Sequence, residues 1–264
     1  MPRNRRTVRK PPPTSADVDD FGEELRFAGD RDELVLRIGR VRKALAVLPP
    51  TDRELVEVGR AAKKNFAQRF SNAIAQKTAN ALRADFEDIL PNAEGIGHES
   101  QSKGAGGLKK LDVNYSTTRS GLELAVSVKT INFKDDTTSR YTKNVKRVDT
   151  ELRAEAGDCH RRQGYAVLVA LLFLPDDAAS DGQAGASSLR HASNVLDYRS
   201  GRTSPKEDDE RFELAFIGLY DSSGRVSFFP PGDDVPELGW PKITIPFSKV
   251  LQEIRVAYDE RNRR

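Results

Sequence analysis

The sequence predicts an α/β protein: a mixed central β-sheet flanked by helices, preceded by a helical N-terminal extension. Apolar residues recur at three- and four-residue steps through the first third of the chain, which is the helical period. After Leu108 the pattern changes to β-branched and apolar runs broken by turn residues. The longest apolar run, Tyr165–Leu174 (YAVLVALLFL), is the kind of strand buried on both faces of a helix-covered sheet.

Residues 1–20 read as a disordered arm: Arg3, Arg5, Arg6, Arg9 and Lys10 meet no acid in the first ten positions, and three prolines follow. Leu34, Ile38, Val41, Leu45 and Leu48 mark a first helix that ends before Pro49 and Pro50. Thr51 with Glu54 forms a capping box for a second helix, whose stripe runs through Phe66, Phe70, Ile74, Leu82, Phe86 and Leu90 to a stop at Pro91. The five glycines between Asn92 and Gly107 predict a loop. Leu108–Tyr115 and Leu122–Phe133, separated by STTRSG, predict an antiparallel hairpin. Asn144–Arg162 carries Val145, Val148, Leu152 and Ala156 on one helical face and leads into the buried strand. Ser187–Arg199 reads as a helix, Phe212–Tyr220 and Arg225–Phe229 as a second hairpin around DSSG, and Phe247–Tyr258 as the closing helix. The organisation expected is an arm (1–20), a helical region (21–91) and an α/β core (92–264), with one continuous domain over 21–264 as the alternative.

Composition excludes several classes. The apolar run is half the ~20 residues of a spanning helix, and Met1 precedes a basic polar stretch, so neither a membrane span nor a secretory signal is expected. One cysteine, Cys159, and three scattered histidines exclude a disulfide framework and a multi-thiolate zinc site, which predicts a cytoplasmic protein. Cys159 and His160 are adjacent on a helix and point apart, so they read as incidental. The glycines at 104, 106 and 107 lack the Gly-Lys-Ser/Thr ending of a P-loop. Trp240, between Gly239 and Pro241, reads as a packing anchor.

The first hairpin carries the chemistry. With the turn centred near Arg119, Asp112 falls opposite residue 126, beside Ser127 and Lys129, which alternation places on one face. A lysine inside the apolar stretch AVSVKTI needs a partner, and Asp112 is the obvious one. On these residues the segment Glu99–Leu174 resembles the PD-(D/E)XK nuclease superfamily, in which an aspartate precedes Glu/Asp-x-Lys on the adjacent strand. Ser127 stands at the acidic position, which is similar to a subset of type II restriction endonucleases with Ser-Val-Lys there and the glutamate supplied by the following helix.

The resemblance implies a restriction-endonuclease-like fold and Mg²⁺-dependent hydrolysis of DNA, with Asp112, Lys129, Ser127 and Glu151 as catalytic residues. Asp112, Glu151 and Glu99 would be the metal ligands. Glu151 is preferred to Glu155, four residues on, for its nearness to the helix start; Glu123 lies ~13 Å from Ser127 along the strand, at ~3.3 Å per residue, which is too far. A phage-defence or restriction-modification role, a homodimer, and a companion methyltransferase or defence protein belong to the same expectation. The rival readings are a catalytically inactive nuclease-fold protein that binds DNA or a partner, and a structure-specific repair or recombination nuclease. Between His98 and Arg153 eleven basic residues face seven acidic ones, a net of +4 where the whole chain carries +3. Arg140, Lys143, Arg147, Lys109 and Lys110 are the expected contacts to double-stranded DNA.

Overall fold

The computed structural model describes residues 18–45, 53–101, 110–182 and 185–262. Residues 1–17 of the expected arm, residues 46–52 with the expected cap Thr51, the glycines at 104, 106 and 107, and Lys109 lie outside the described residues; the last residues of the expected arm are instead tied to the fold, Asp19 accepting from Ser248 and Asp20 bridging to Arg225. The elements run α1 (Gly22–Ala28), α2 (Arg31–Leu45), α3 (Arg53–Leu82), β1 (Val113–Thr117), β2 (Gly121–Thr130), α4 (Thr142–His160), β3 (Val167–Pro175), a 3₁₀ turn (Asp176–Ala179), α5 (Ser188–Tyr198), β4 (Leu214–Tyr220), β5 (Val226–Phe229) and α6 (Phe247–Asn262).

The five strands form one mixed sheet in the order β1-β2-β3-β4-β5. The two hairpins, β1–β2 and β4–β5, are antiparallel, while β2, β3 and β4 run parallel. β3 lies at the centre, and all of its residues are buried, as its unbroken apolar run requires. Each face of the sheet has its own core. On one side Val126, Val128, Val169, Leu171 and Phe173 meet Phe66, Phe70 and Ile74 of α3, Phe21 and Leu25, and Val250 and Ile254 of α6. On the other, Ala125, Leu168, Ala170 and Leu172 meet Val145, Val148, Leu152 and Ala156 of α4, together with Leu189, Ala192 and Leu196 of α5. The chain is thus an α/β protein with a mixed sheet between helical layers and an N-terminal helical segment. Among the described residues no helix is long and apolar enough to cross a membrane.

Two local differences from the sequence reading have clear causes. α3 stops at Leu82 instead of running to Pro91. The 3.6-residue pattern continues through Phe86 because the turns after Leu82 place Phe86 and Ile89 in the same core. The Arg83 guanidinium holds those turns by donating to the carbonyls of Ile89 and Pro91, at 3.0 and 2.7 Å. Leu90 then adds a bridge to Asn114 at the edge of β1. The second difference is a bulge in the first hairpin. Pairs sum to 238 next to the turn, as in Ser116 with Leu122, but to 239 beyond it, as in Val113 with Val126. The unpaired residue is Glu123. A bulge re-aims its side chain, and Glu123 accepts from Thr117 and from Tyr258 of α6 instead of sharing a face with Ser127.

Candidate active site

Carrying the register one step past Val113 and Val126 sets Asp112 level with Ser127, immediately before β1 begins. Asp112 Oδ2 accepts a hydrogen bond from the backbone N–H of Val128 at 2.8 Å, which ties the carboxylate to the edge of β2. Even-numbered Val126 and Val128 pack toward α3, so Ser127 and Lys129 face α4. There Lys129 Nζ donates to Glu155 Oε2 at 3.0 Å, with the two side chains 17% and 6% exposed. The direct partner of the strand lysine is therefore Glu155, and Asp112 acts on it through charge.

Of the two glutamates that the sequence offers on this helix, the geometry brings Glu155, and not the preferred Glu151, to Lys129. Glu151 lies on the exposed side of α4 and pairs with Arg147 one turn earlier, at 2.7 Å. Glu155 lies beside the apolar stripe, three residues after Leu152 and one before Ala156, and is buried. That position was the available sequence signal. A carboxylate on a stripe that packs against a sheet needs a partner there, and the lysine on the facing strand provides it. Nearness to the helix start does not place a residue beside Lys129, because the eleven residues between Thr130 and Thr142 separate the strand end from the helix start.

Burial pushes the Asp112 carboxyl up from 3.8 to about 6; Lys129 and the Val128 N–H oppose the rise, and the Glu155 charge adds to it. For Lys129 burial works against the ammonium, but Glu155 and Asp112 outweigh it and hold the amine above its ordinary value. Two carboxylates and one ammonium thus share a largely buried site with one negative charge in excess. Ser127 lies in the same place, 2% exposed, and its Oγ has no hydrogen-bond partner among the described residues. Asp112 and Glu155 each present one oxygen engaged by the protein and one without a partner among the described residues. Hard oxygen donors and an excess negative charge are what a divalent cation such as Mg²⁺ would relieve.

The remaining candidates are dispersed. Glu99 pairs with Lys110 at 3.4 Å, and its charge is the smallest of the named influences on Asp112. No group of three or more His, Cys, Asp or Glu side chains converges among the described residues. Of the basic residues expected on DNA, Arg140 is turned inward onto the Ala186 carbonyl and lies 3.9 Å from Asp181. Lys143 pairs with Asp135 at 3.0 Å, Arg147 with Glu151 and Lys110 with Glu99. Elsewhere, His160 belongs to a structural network: it meets the Arg211 carbonyl, and Glu213 beside it is bonded by the fully buried Arg202 and by Arg261. Trp240 is 46% exposed, more than a packing anchor would be.

Compared with protein-family models, with curated proteins and with solved structures, the chain finds no match.

Proposed function

We propose that the chain is a metal-dependent deoxyribonuclease that hydrolyses phosphodiester bonds at Asp112, Lys129 and Glu155. The observation that carries this reading is the convergence of those three side chains: an aspartate at the entry to one strand, a lysine on its hairpin partner and a glutamate from the following helix. This is the arrangement that the resemblance to Ser-Val-Lys restriction endonucleases implies. Asp112 and Glu155 would hold Mg²⁺, a hard ion that keeps several waters and needs only one or two carboxylates besides substrate phosphate. When bound, it would supply Lewis-acid polarisation of a phosphoryl oxygen and a more acidic water.

The protein's own share is electrostatic. The Lys129 ammonium offsets charge that grows on the phosphoryl oxygens as the bond to the leaving group breaks, and the low-polarity pocket strengthens that effect. The Asp112 carboxylate is fixed by the Val128 N–H and needs no reorientation when substrate arrives. The Ser127 hydroxyl, lacking a protein partner, is placed to donate to a water or a substrate oxygen. A restriction or phage-defence role, double-strand cleavage by a homodimer and a companion methyltransferase follow from the resemblance.

Among the described residues no third acid converges on the site, and this favours a second reading, a nuclease-fold protein that binds DNA without cutting it. Supercoiled plasmid incubated with the protein in Mg²⁺ and in EDTA separates the two. Nicked and linear products in Mg²⁺ alone are expected. DNA retained in a gel shift but intact in Mg²⁺ and Mn²⁺ would establish the binding protein instead.

A further inference from the structure

Lys110, Arg140, Lys143 and Arg147 are engaged within the protein, and a broader reserve of positive charge lies elsewhere. One broad excess runs from Arg37 to Lys64: eight basic and three acidic residues, a net of +5 where the whole chain carries +3. Its described residues belong to the C-terminal part of α2 and the N-terminal part of α3. Arg37, Arg40 and Lys43 on α2 and Arg60 and Lys64 on α3 are exposed, and none has an ion-pair partner among the described residues.

The placement of the hairpin gives that charge a direction. Ser71 of α3 donates to the Val128 carbonyl at 3.3 Å, so this turn of the helix is level with the candidate site on the opposite face of the sheet. Toward its N-terminus α3 passes the end of β2. Phe66 packs on Phe133 at 5.5 Å, and Lys63 reaches Asp136 at 3.5 Å. Among the described side chains of α3 the first buried one is Phe66. Residues 59–65 before it include no buried side chain, and Arg60 lies about 16 Å further along the axis than Ser71 at ~1.5 Å per residue. α2 leaves the same edge of the sheet, since Arg31 at its first position donates to the Asn132 carbonyl and to Tyr141 Oη, both at 2.8 Å. The two helices meet again at Ile38 and Gly59, where a Cβ on the glycine would stand 3.7 Å from Ile38.

We propose that the α2–α3 hairpin is a DNA-binding arm, which holds the phosphate backbone of a duplex across the sheet edge that carries Lys129. The choice of DNA as the polyanion rests on the nuclease reading; the arm itself rests on charge and position. Its contacts are to phosphates, so they set affinity and register without reading sequence.

The test is fluorescence anisotropy of a labelled duplex in EDTA between roughly 50 and 200 mM salt. Wild type is compared with Arg37→Ala/Arg40→Ala/Lys43→Ala/Arg60→Ala/Lys64→Ala and with the control Lys206→Ala/Lys242→Ala. Alanine is the best helix former, so the exposed substitutions preserve both helices, which circular dichroism checks. Each phosphate contact contributes ~0.9 to the slope of log affinity against log salt. The arm variant is expected to lose roughly 3 or more from that slope and at least about tenfold in affinity, while the control binds like wild type. The same loss in a protein that never cuts DNA would support the arm and remove the nuclease reading. An arm variant that binds like wild type would overturn the arm and leave that reading standing. Capture of anionic phosphatidylserine vesicles with no duplex binding by wild type would also overturn it.

Discussion

Lys129→Met is expected to lower the rate of DNA cleavage by about 10²–10³-fold, the scale seen when one preorganised electrostatic donor is removed from an active site. It is also expected to destabilise the fold. The ammonium is 17% exposed and its partner Glu155 6% exposed, so removing the lysine leaves a buried carboxylate without its counter-charge. Breaking such a pair from one side costs about 3–5 kcal/mol. Methionine keeps most of the apolar stem, so the loss reports the charge and not a cavity. The double variant Lys129→Met/Glu155→Gln separates the two effects. With both charges gone, urea denaturation should recover most of the stability, because a neutral pair has no uncompensated ion to bury. Cleavage should stay lost. Recovery of activity along with stability would mean that the pair serves the fold alone.

Asp112→Asn should be inactive and yet more stable than wild type at neutral pH. The folded protein holds the Asp112 proton more tightly than the unfolded chain, with the carboxyl pushed from 3.8 to about 6, first by burial and then by Glu155 against the opposing pull of Lys129. Between those values the folded state binds more protons, so the contribution of Asp112 to stability falls as pH rises from about 4 to about 6 and stays low above it. A shift of about two units corresponds to about 3 kcal/mol. Asparagine keeps an oxygen to accept from the Val128 N–H and carries no charge to desolvate. Its advantage over wild type in urea denaturation should be largest at pH 7 and vanish near pH 4. A variant that is less stable than wild type at both pH values would contradict this account of the pocket. A carboxylate kept at a cost to stability is what a site selected for chemistry contains.

Much of this was legible in the sequence, and the failures share a physical origin. The turn residues of STTRSG and the alternation through AVSVK located the hairpin, and the break in apolar alternation at Lys129 marked the site. The unbroken run at Val167–Leu174 identified the central strand because a strand covered on both faces has no polar side. Properties set by a single residue or by tertiary packing were harder to see. The bulge at Glu123 moves the register by one and turns that carboxylate toward α6, and no local composition announces it. Phe86 continues the spacing of α3 although the helix has ended, because the core that it fills is the same. Glu155 ranks after Glu151 by nearness to the helix start, although its place beside the Leu152–Ala156 stripe points to its burial. The pairing of Lys143 with Asp135 and the inward turn of Arg140 depend on loops whose path periodicity does not describe.

The proposal that Asp112, Lys129 and Glu155 act together on a phosphodiester stands or falls on a pair of glutamate variants. Plasmid cleavage in Mg²⁺ is measured for Glu155→Gln beside Glu151→Gln, two isosteric changes one helical turn apart. The geometry predicts a loss of at least about 100-fold for Glu155→Gln. It also predicts near wild-type cleavage for Glu151→Gln, whose carboxylate faces solvent and Arg147. Cleavage that survives Glu155→Gln and fails with Glu151→Gln would contradict it.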